Sequence, residues 1–448
     1  MSDLVIKQYK FYNLPDCRDA IKSIEDRYEY VDETDSFGKL VNFSTAKGEP
    51  YQRWVRYREG YSTSLVNNLI ERAHINPKMY YIADPMVGSG STLISAVKNG
   101  FDSFGVDINP FSQLIVSTKM LSPAENDFAD VEAFLNKLPE KYNLTDIEKP
   151  PLSEYFPEEN LINLLELKNT IDEVGNPVSK QILTAGWFFI LESCSNRKKD
   201  GNGLATRPAP VTDVISHFKE VIAEILTDYS RFPFGKNICT DVLTASALNF
   251  SEHCQLFEQK CKKKLGAIIF SPPYANAFDY YESYKMELLF GRLYDMEDYQ
   301  AHKKEQIRNY RISYGRDIQC DYPTVELLCK AINTAVPHKE AVTGKKDART
   351  RLMPNMLRGY FTDMGQVLEE LYKALSNGGW CYIVVDQSSY VGVIIPTDVI
   401  LARIAETIGF KVDSISICRK ASTSAQQRKT YPYLGNTLRE SIVCLRKE

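Results

Sequence analysis

Residues 79–110 constrain the fold of this chain more tightly than any other stretch. Met79-Tyr80-Tyr81-Ile82-Ala83 reads as a short buried strand, and Asp84-Pro85-Met86-Val87-Gly88-Ser89-Gly90-Ser91-Thr92 follows as a glycine-bearing turn. Leu93 to Asn99 has helical spacing closed by Gly100 as a C-terminal cap, and Ser103 to Pro110 reads as a second strand ending in an acid, Asp107. Strand, glycine turn, helix and acid-tipped strand form the opening unit of a doubly wound, nucleoside-binding α/β sheet. Gly88 and Gly90 let the backbone turn tightly and approach a ligand, while the first N–H groups of the helix can hold a polar group. An acid about 20 residues past such a turn takes ribose hydroxyls, and Asp107 stands where that role requires. A dinucleotide fingerprint needs a third small residue where this chain has Leu93, which weakens that reading.

A second motif supplies chemistry. The apolar run Leu265 to Phe270 reads as a strand and leads directly into Ser271-Pro272-Pro273-Tyr274. Two consecutive prolines fix φ near −65°, remove two backbone donors and leave their carbonyls as acceptors on a rigid turn. A planar amino group on a heterocycle can stack on Tyr274 while giving its hydrogens to the Ser271 oxygen and the Pro272 carbonyl. Alone, Pro-Pro-Tyr also occurs as a stiff loop or as a ligand of proline-binding modules. The strand ahead of it favours the site.

Together the two motifs resemble the S-adenosylmethionine-dependent amino-methyltransferases of DNA, whose tetrapeptide is Asp, Asn or Ser followed by Pro-Pro-Tyr or Pro-Pro-Phe. The resemblance implies a Rossmann-like α/β fold with a mostly parallel seven-stranded sheet whose last two strands pair antiparallel. It implies that Ser271, Pro272, Pro273 and Tyr274 are catalytic. Asp84, Pro85, Gly88, Ser89, Gly90 and Thr92 resemble the cofactor loop, with Asp84 toward the methionine part and Asp107, flanked by Ile108 and Asn109, on the ribose. Trp54 to Val66 is similar to the segment that covers the cofactor, with Ser62 or Ser64 capping a helix and Tyr61 as an aromatic wall. Near Asn237 to Val242 another short strand ends in an acid, so Asp241 with Val242 is a candidate for the adenine amino group; a turn or capping aspartate is the alternative. Within the family, Ser at the first position is more frequent in enzymes acting on N4 of cytosine, which makes that the preferred target and N6 of adenine the alternative. The base must be flipped out of the duplex to reach such a pocket. Double-stranded DNA is the implied partner, together with a cognate restriction endonuclease. An RNA or protein-glutamine methyltransferase, which shares the Pro-Pro-Tyr turn, and a non-catalytic DNA-binding specificity subunit are the rivals.

Beyond the motifs the pattern alternates. Met364 to Leu375 reads as a helix, Trp380 to Val385 as a strand running into Asp386, Thr397 to Ile408 as a helix, and Lys411 to Cys418 and Glu440 to Leu445 as two late strands. The 448 residues divide into an N-terminal extension (1–50), a catalytic core (51–120, 236–302 and 359–448), a mainly helical insertion (121–235) and a basic insertion (303–358). In the helical insertion Glu158 to Val174, Ser179 to Cys194 and Val211 to Tyr229 have helical spacing, and Arg197, Lys198 and Lys199 lie in a basic, glycine-bearing loop. Net charge is −4, but from Lys303 to Arg358 basic residues outnumber acidic ones two to one, with tyrosines interleaved. Arg308, Arg311, Arg316, Lys345, Lys346, Arg349 and Arg351 are therefore candidates to grip DNA phosphates. Either insertion can hold the target-recognition region.

Hydrophobic content of 44% and charged content of 25% suit a globular enzyme. The ten cysteines form no Cys-x-x-Cys pair and the five histidines complete no zinc spacing, so no metal is expected. No apolar run is long enough to span a bilayer and the N-terminus lacks a signal-peptide pattern, which makes the cytoplasm the expected location.

Overall fold

A computed structural model of the chain describes residues 14–42, 48–57, 60–143, 148–200, 203–235, 237–313, 317–421 and 430–448. Its centre is an eight-stranded sheet. In chain order the strands are β1 (Tyr30–Asp32), β2 (Tyr80–Asp84), β3 (Ser103–Asp107), β4 (Arg197–Asp200), β5 (Gly203–Thr206), β6 (Thr240–Thr244), β7 (Lys264–Phe270), β8 (Trp380–Asp386), β9 (Ser388–Tyr390), β10 (Val393–Ile395), β11 (Lys411–Lys420) and β12 (Arg439–Arg446). The large sheet runs β1-β11-β12-β8-β7-β2-β3-β6, while β4–β5 and β9–β10 form separate hairpins. All neighbours in the large sheet are parallel except β12, which is antiparallel to both β11 and β8. The mostly parallel sheet with a terminal antiparallel pair is as expected. The count is one higher than seven, because the three-residue β1 adds to the edge beside β11.

Period-2 alternation distributes the central strands between two apolar layers. Cys381, Ile383 and Val385 of β8, with Ile268 and Phe270 of β7, pack on one face against the helices Phe250–Cys261, Pro323–Thr343, Met353–Ala374 and Thr397–Ile408. Tyr382, Val384, Ala267 and Ile269 point to the other face, against the helix Thr63–Ala73, capped by Ser62 whose hydroxyl accepts the Leu65 N–H. Helix Met353–Ala374 starts eleven residues ahead of the expected Met364. Its buried stripe Met353, Met356, Leu357, Tyr360, Phe361 and Met364 carries the periodicity back through residues assigned to the basic insertion. Together with Pro323–Thr343, whose Val325, Leu328, Ile332 and Ala335 are fully buried in the same core, it makes much of residues 303–358 part of the main body.

The helical insertion has its own core. Helices Glu158–Asp172, Pro177–Cys194 and Val214–Arg231 pack around Trp187, Phe188 and Phe218, close to the three spans expected, and Glu125–Lys137 adds a fourth. This core is continuous with Tyr281, Tyr284 and Phe290, which follow the Ser271–Tyr274 tetrapeptide in the chain. None of the described helices is long and apolar enough to cross a membrane.

Candidate active site

β2, β3 and β7 end side by side, so the segments that follow them share one region of space. After β2 the chain reverses through Gly88 (φ 50°) and Gly90 (φ 87°). Gly90 begins the helix Ser91–Lys98 in a left-handed conformation that favours glycine, and a Cβ there would come within 2.8 Å of a Val116 methyl. Asp107, at the tip of β3, fastens this turn: its Oδ2 accepts the Gly88 N–H at 2.8 Å and its Oδ1 accepts the Asn109 N–H at 2.9 Å. Burial raises the Asp107 carboxyl above the usual range, against these two backbone donors. Ser89 is held from behind by the buried Lys119, whose Nζ donates to its carbonyl at 2.8 Å. Burial pushes that ammonium down to about 7.

Asp84 is the second acid. It is almost fully buried, accepts the Met86 N–H at 2.9 Å and the Tyr61 hydroxyl at 3.2 Å, and desolvation pushes its carboxyl up to about 7. The Tyr61 hydroxyl also meets Thr92 Oγ1 at 2.6 Å, and Thr92 donates to the carbonyl of Ile269 at 3.0 Å. The glycine turn is thereby tied to β7 two residues before Ser271.

The geometry joins both motifs in a single cavity of about 880 Å³ including its mouth. Pro85, Met86, Gly88, Asp107, Ile108 and Asn109 line one part, and Ser271, Pro272, Pro273 and Tyr274 line another. A smaller hollow of about 280 Å³, lined by Gly60, Tyr61, Asp84, Ser89 and Ser91, shares Tyr57, Met86, Gly88 and Ser271 with it. Gly90 does not line the cavity; it shapes the turn that does. No lysine or arginine is among the described residues lining either space, whereas Asp84, Asp107 and Glu305 are. Acidic lining with aromatic walls suits a cation and a diol better than a phosphate.

The other cofactor candidates lie away from the larger cavity or are engaged by protein partners. Asp241 lies at the second position of β6, opposite Phe104 and not at the strand's carboxyl tip, and its carboxylate pairs with Lys260 at 2.8 Å. Val242 is packed against Val87, Leu93 and Val116. The chain reaches the cavity after β6, at Ser246 and Ala247. Thr92 is fully buried in the Tyr61–Ile269 staple, outside the cavity, and Tyr61 faces only the smaller hollow. Asn109 spends its side-chain oxygen on the Phe111 N–H as a helix cap.

Among the basic candidates, Lys199 is 2% exposed, with Nζ 2.5 Å from Glu287 and 4.2 Å from the Tyr284 ring centroid, so it is an internal ion pair and no phosphate contact. β4 and β5 pair antiparallel where a loop was expected; Arg197 lies 4.3 Å over the Tyr155 ring, and Lys198 remains half-exposed. Arg308 gives its guanidinium to Asp363, and Arg351 pairs with Glu340. Lys345, Lys346 and Arg349 are exposed around the left-handed cap Gly344. Arg311 begins the single turn Arg311–Ser313, and Arg316 lies outside the described residues, as do Arg58, Glu59, Ile147, Gly201, Asn202 and Tyr314 of the segments discussed above.

Sequence reasoning missed the aromatic wall. Tyr280, Tyr281 and Tyr284 line the cavity from the segment after the tetrapeptide, and Tyr57 stacks on Tyr284 with centroids 5.2 Å apart. The i, i+4 spacing of Tyr280 and Tyr284 was the available signal. For Tyr57 the only signal was its place in the Trp54–Val66 segment, because its stacking partner is remote in sequence. Glu305, Gln306 and Ile307 complete the lining from the start of the basic stretch.

No protein-family model matches the chain. It is 28% identical to the Type II methyltransferase M.BsoBI of Geobacillus stearothermophilus over 481 aligned residues, covering 95% of this chain and 91% of that protein. It is 27% identical to the Type II methyltransferase M.AvaI of Anabaena variabilis, covering 91% and 89%, and 22% identical to M.MvaI of Kocuria varians, covering 74% and 75%. Among solved structures, the rRNA methyltransferase aviRa from Streptomyces viridochromogenes aligns at a TM-score of 0.28 with 9% identity over 86% of this chain and 85% of that one. Relatives of one kind, Type II methyltransferases, match the chain along nearly its whole length, and both motifs open into one cavity of a mostly parallel sheet, in keeping with the resemblance to S-adenosylmethionine-dependent DNA methyltransferases drawn from the two motifs.

Proposed function

We propose that this protein transfers a methyl group from S-adenosylmethionine to the exocyclic amino group of a base flipped out of duplex DNA, at a specific site, and that the base is cytosine, modified at N4. The observation that carries the reading is the shared cavity, with the acid-fastened glycine turn on one side and the proline-stiffened tetrapeptide on the other.

The residues fit the sulfonium nucleoside. Asp107 offers a carboxylate to the ribose hydroxyls beside Ile108, Asp84 and Tyr57 border the hollow suited to the methionine part, and the absence of lining cations among the described residues suits a positive sulfur. Ser246 and Ala247 take the place first given to Asp241, next to the adenine. When bound, S-adenosylmethionine supplies an electrophilic methyl group. The protein must then activate an amine whose lone pair is delocalised into its ring. Ser271 and the Pro272 carbonyl, as acceptors of the amine's two hydrogens, favour the localised, pyramidal geometry that develops in the transition state. Tyr274 holds the ring by stacking, and alignment of amine, methyl and sulfur supplies much of the rate. Extrusion of the base costs about a few kcal/mol. Exposed Lys345, Lys346 and Arg349, with Lys198 on the β4–β5 hairpin, are the phosphate contacts we favour, and a restriction endonuclease of the same specificity is the partner we expect.

Mass spectrometry of nucleosides from duplex DNA incubated with the protein and S-adenosylmethionine tests the reading. N4-methylcytosine is expected. N6-methyladenine would replace the base but keep the mechanism, and methylation of tRNA in preference to duplex DNA would overturn the substrate.

A further inference from the structure

The last strand of the sheet brings an acid to the catalytic turn. Because β12 runs antiparallel to β8, its first residues lie beside the carboxyl tip of β8, where Glu440 pairs with Asp386. Glu440 is 2% exposed, and its Oε1 lies 3.4 Å from the Tyr274 hydroxyl, which acts as donor. The same hydroxyl is 3.3 Å from Ser271 Oγ, which donates to it. The donor directions run one way, from Ser271 to Tyr274 to Glu440. On its other oxygen Glu440 is ion-paired with Arg419 of β11, and Asp386 and Tyr274 are the further ionisable groups whose charges reach Arg419 there.

Amine methylation leaves a proton to remove. As the bond from amine nitrogen to methyl carbon forms, the bond from that carbon to sulfur breaks and its electron pair stays on sulfur. The nitrogen is then cationic and a far stronger acid than a carboxylic acid. Serine has no capacity to keep that proton.

Resting on the amine-methylation reading above, we propose that Glu440 is a positioning residue for the transfer step: it orients Tyr274 and receives, through Tyr274 and Ser271, the proton the amine sheds. The nitrogen's proton passes to Ser271 Oγ, the Ser271 proton to the Tyr274 oxygen, and the Tyr274 proton to the Glu440 carboxylate, which ends as a neutral acid. Both hydrogen bonds are long in the free protein, as links that tighten only around a bound base are expected to be. The tyrosine of the tetrapeptide thereby has two functions, of which phenylalanine could supply only the stacking.

The test is single-turnover methyl transfer to duplex DNA at saturating cofactor. Tyr274→Phe, which removes one oxygen, and Glu440→Gln should each slow transfer by about 10- to 100-fold, at or below the usual range for acid–base assistance. Cofactor affinity, which serves as the folding control, and KM for DNA should stay within about threefold. Glu440→Asp should recover part of the rate. The double variant should be no slower than the slower single one, because both act on one path. A Tyr274→Phe variant as fast as the wild type, or losses that multiply in the double variant, would overturn the relay while leaving amine methylation intact. A wild-type protein that places no methyl on an exocyclic amine would instead remove the underlying reading, and the relay with it.

Discussion

The glycine turn Gly88–Gly90 and the proline turn Ser271–Tyr274 sit at neighbouring strand tips and are held in different ways. The first is fastened before any ligand arrives: Asp107 accepts the Gly88 N–H at 2.8 Å, Lys119 holds the Ser89 carbonyl at 2.8 Å, and Gly90 packs against Val116. The second has a stiff backbone, and the hydrogen bonds that link Ser271 to Tyr274, Tyr274 to Tyr280 and Tyr274 to Glu440 are long, at 3.3–3.4 Å. A pre-built cradle suits a ligand that must bind as it stands. A rigid frame with long side-chain contacts suits one whose charge changes during reaction, since interactions that strengthen only in the transition state accelerate the chemistry.

Substitutions on the two sides should therefore separate turnover from affinity. The largest effect is expected for Ser271→Ala, which should lower kcat by about 10²- to 10³-fold, as for loss of an electrostatic donor or acceptor at a reacting centre, with cofactor affinity almost unchanged. Asp107→Ala should do the reverse and weaken cofactor binding by about 10- to 100-fold, the worth of a charged hydrogen bond. Equal loss of both parameters in either variant would erase the contrast. Gly90→Ala should lower thermal stability by about 1–3 kcal/mol from left-handed strain and contact with Val116; an unchanged melting temperature would show that the turn is less tightly fastened than described.

The acids sharpen the contrast through pH. Because burial raises the Asp84 carboxyl to about 7, the folded, ligand-free protein retains a proton that the unfolded chain releases near pH 4. The stability this group contributes is present below pH 4 and is lost as pH rises through about 7. A cationic ligand favours the ionised form, so cofactor affinity measured by calorimetry should rise between pH 6 and 8 with release of protons. Asp84→Asn should flatten that rise. The smallest effect is at the surface: removing Lys345 and Lys346 should weaken DNA binding and reduce its salt slope by about one to two units, and an unchanged slope would place the phosphates elsewhere.

Both turns were legible because each depends on residue types with few substitutes: glycines at positive φ, and prolines directly after an apolar strand. The antiparallel pair β11–β12 was legible from period-2 apolar runs. What was not legible depended on register or on distant partners. Asp241 looked like a strand-end acid, but β6 continues through Val242 to Thr244, which moves the cavity-facing position to Ser246. In the run Arg197-Lys198-Lys199, composition suggested one basic surface, whereas strand alternation turns Lys199 inward onto Glu287. Glu440 was read only as the start of a strand. Its approach to Tyr274 follows from the antiparallel course of β12, which no local pattern encodes.

Transfer from methyl-labelled S-adenosylmethionine to duplex DNA, with the product base identified by mass spectrometry in parallel for wild type and Ser271→Ala, tests the meeting of cofactor and amine at these two turns most directly. Label on an exocyclic amine, lost in Ser271→Ala while the variant still binds the cofactor, is the predicted result. Label on a ring carbon, or transfer undiminished by Ser271→Ala, would contradict it.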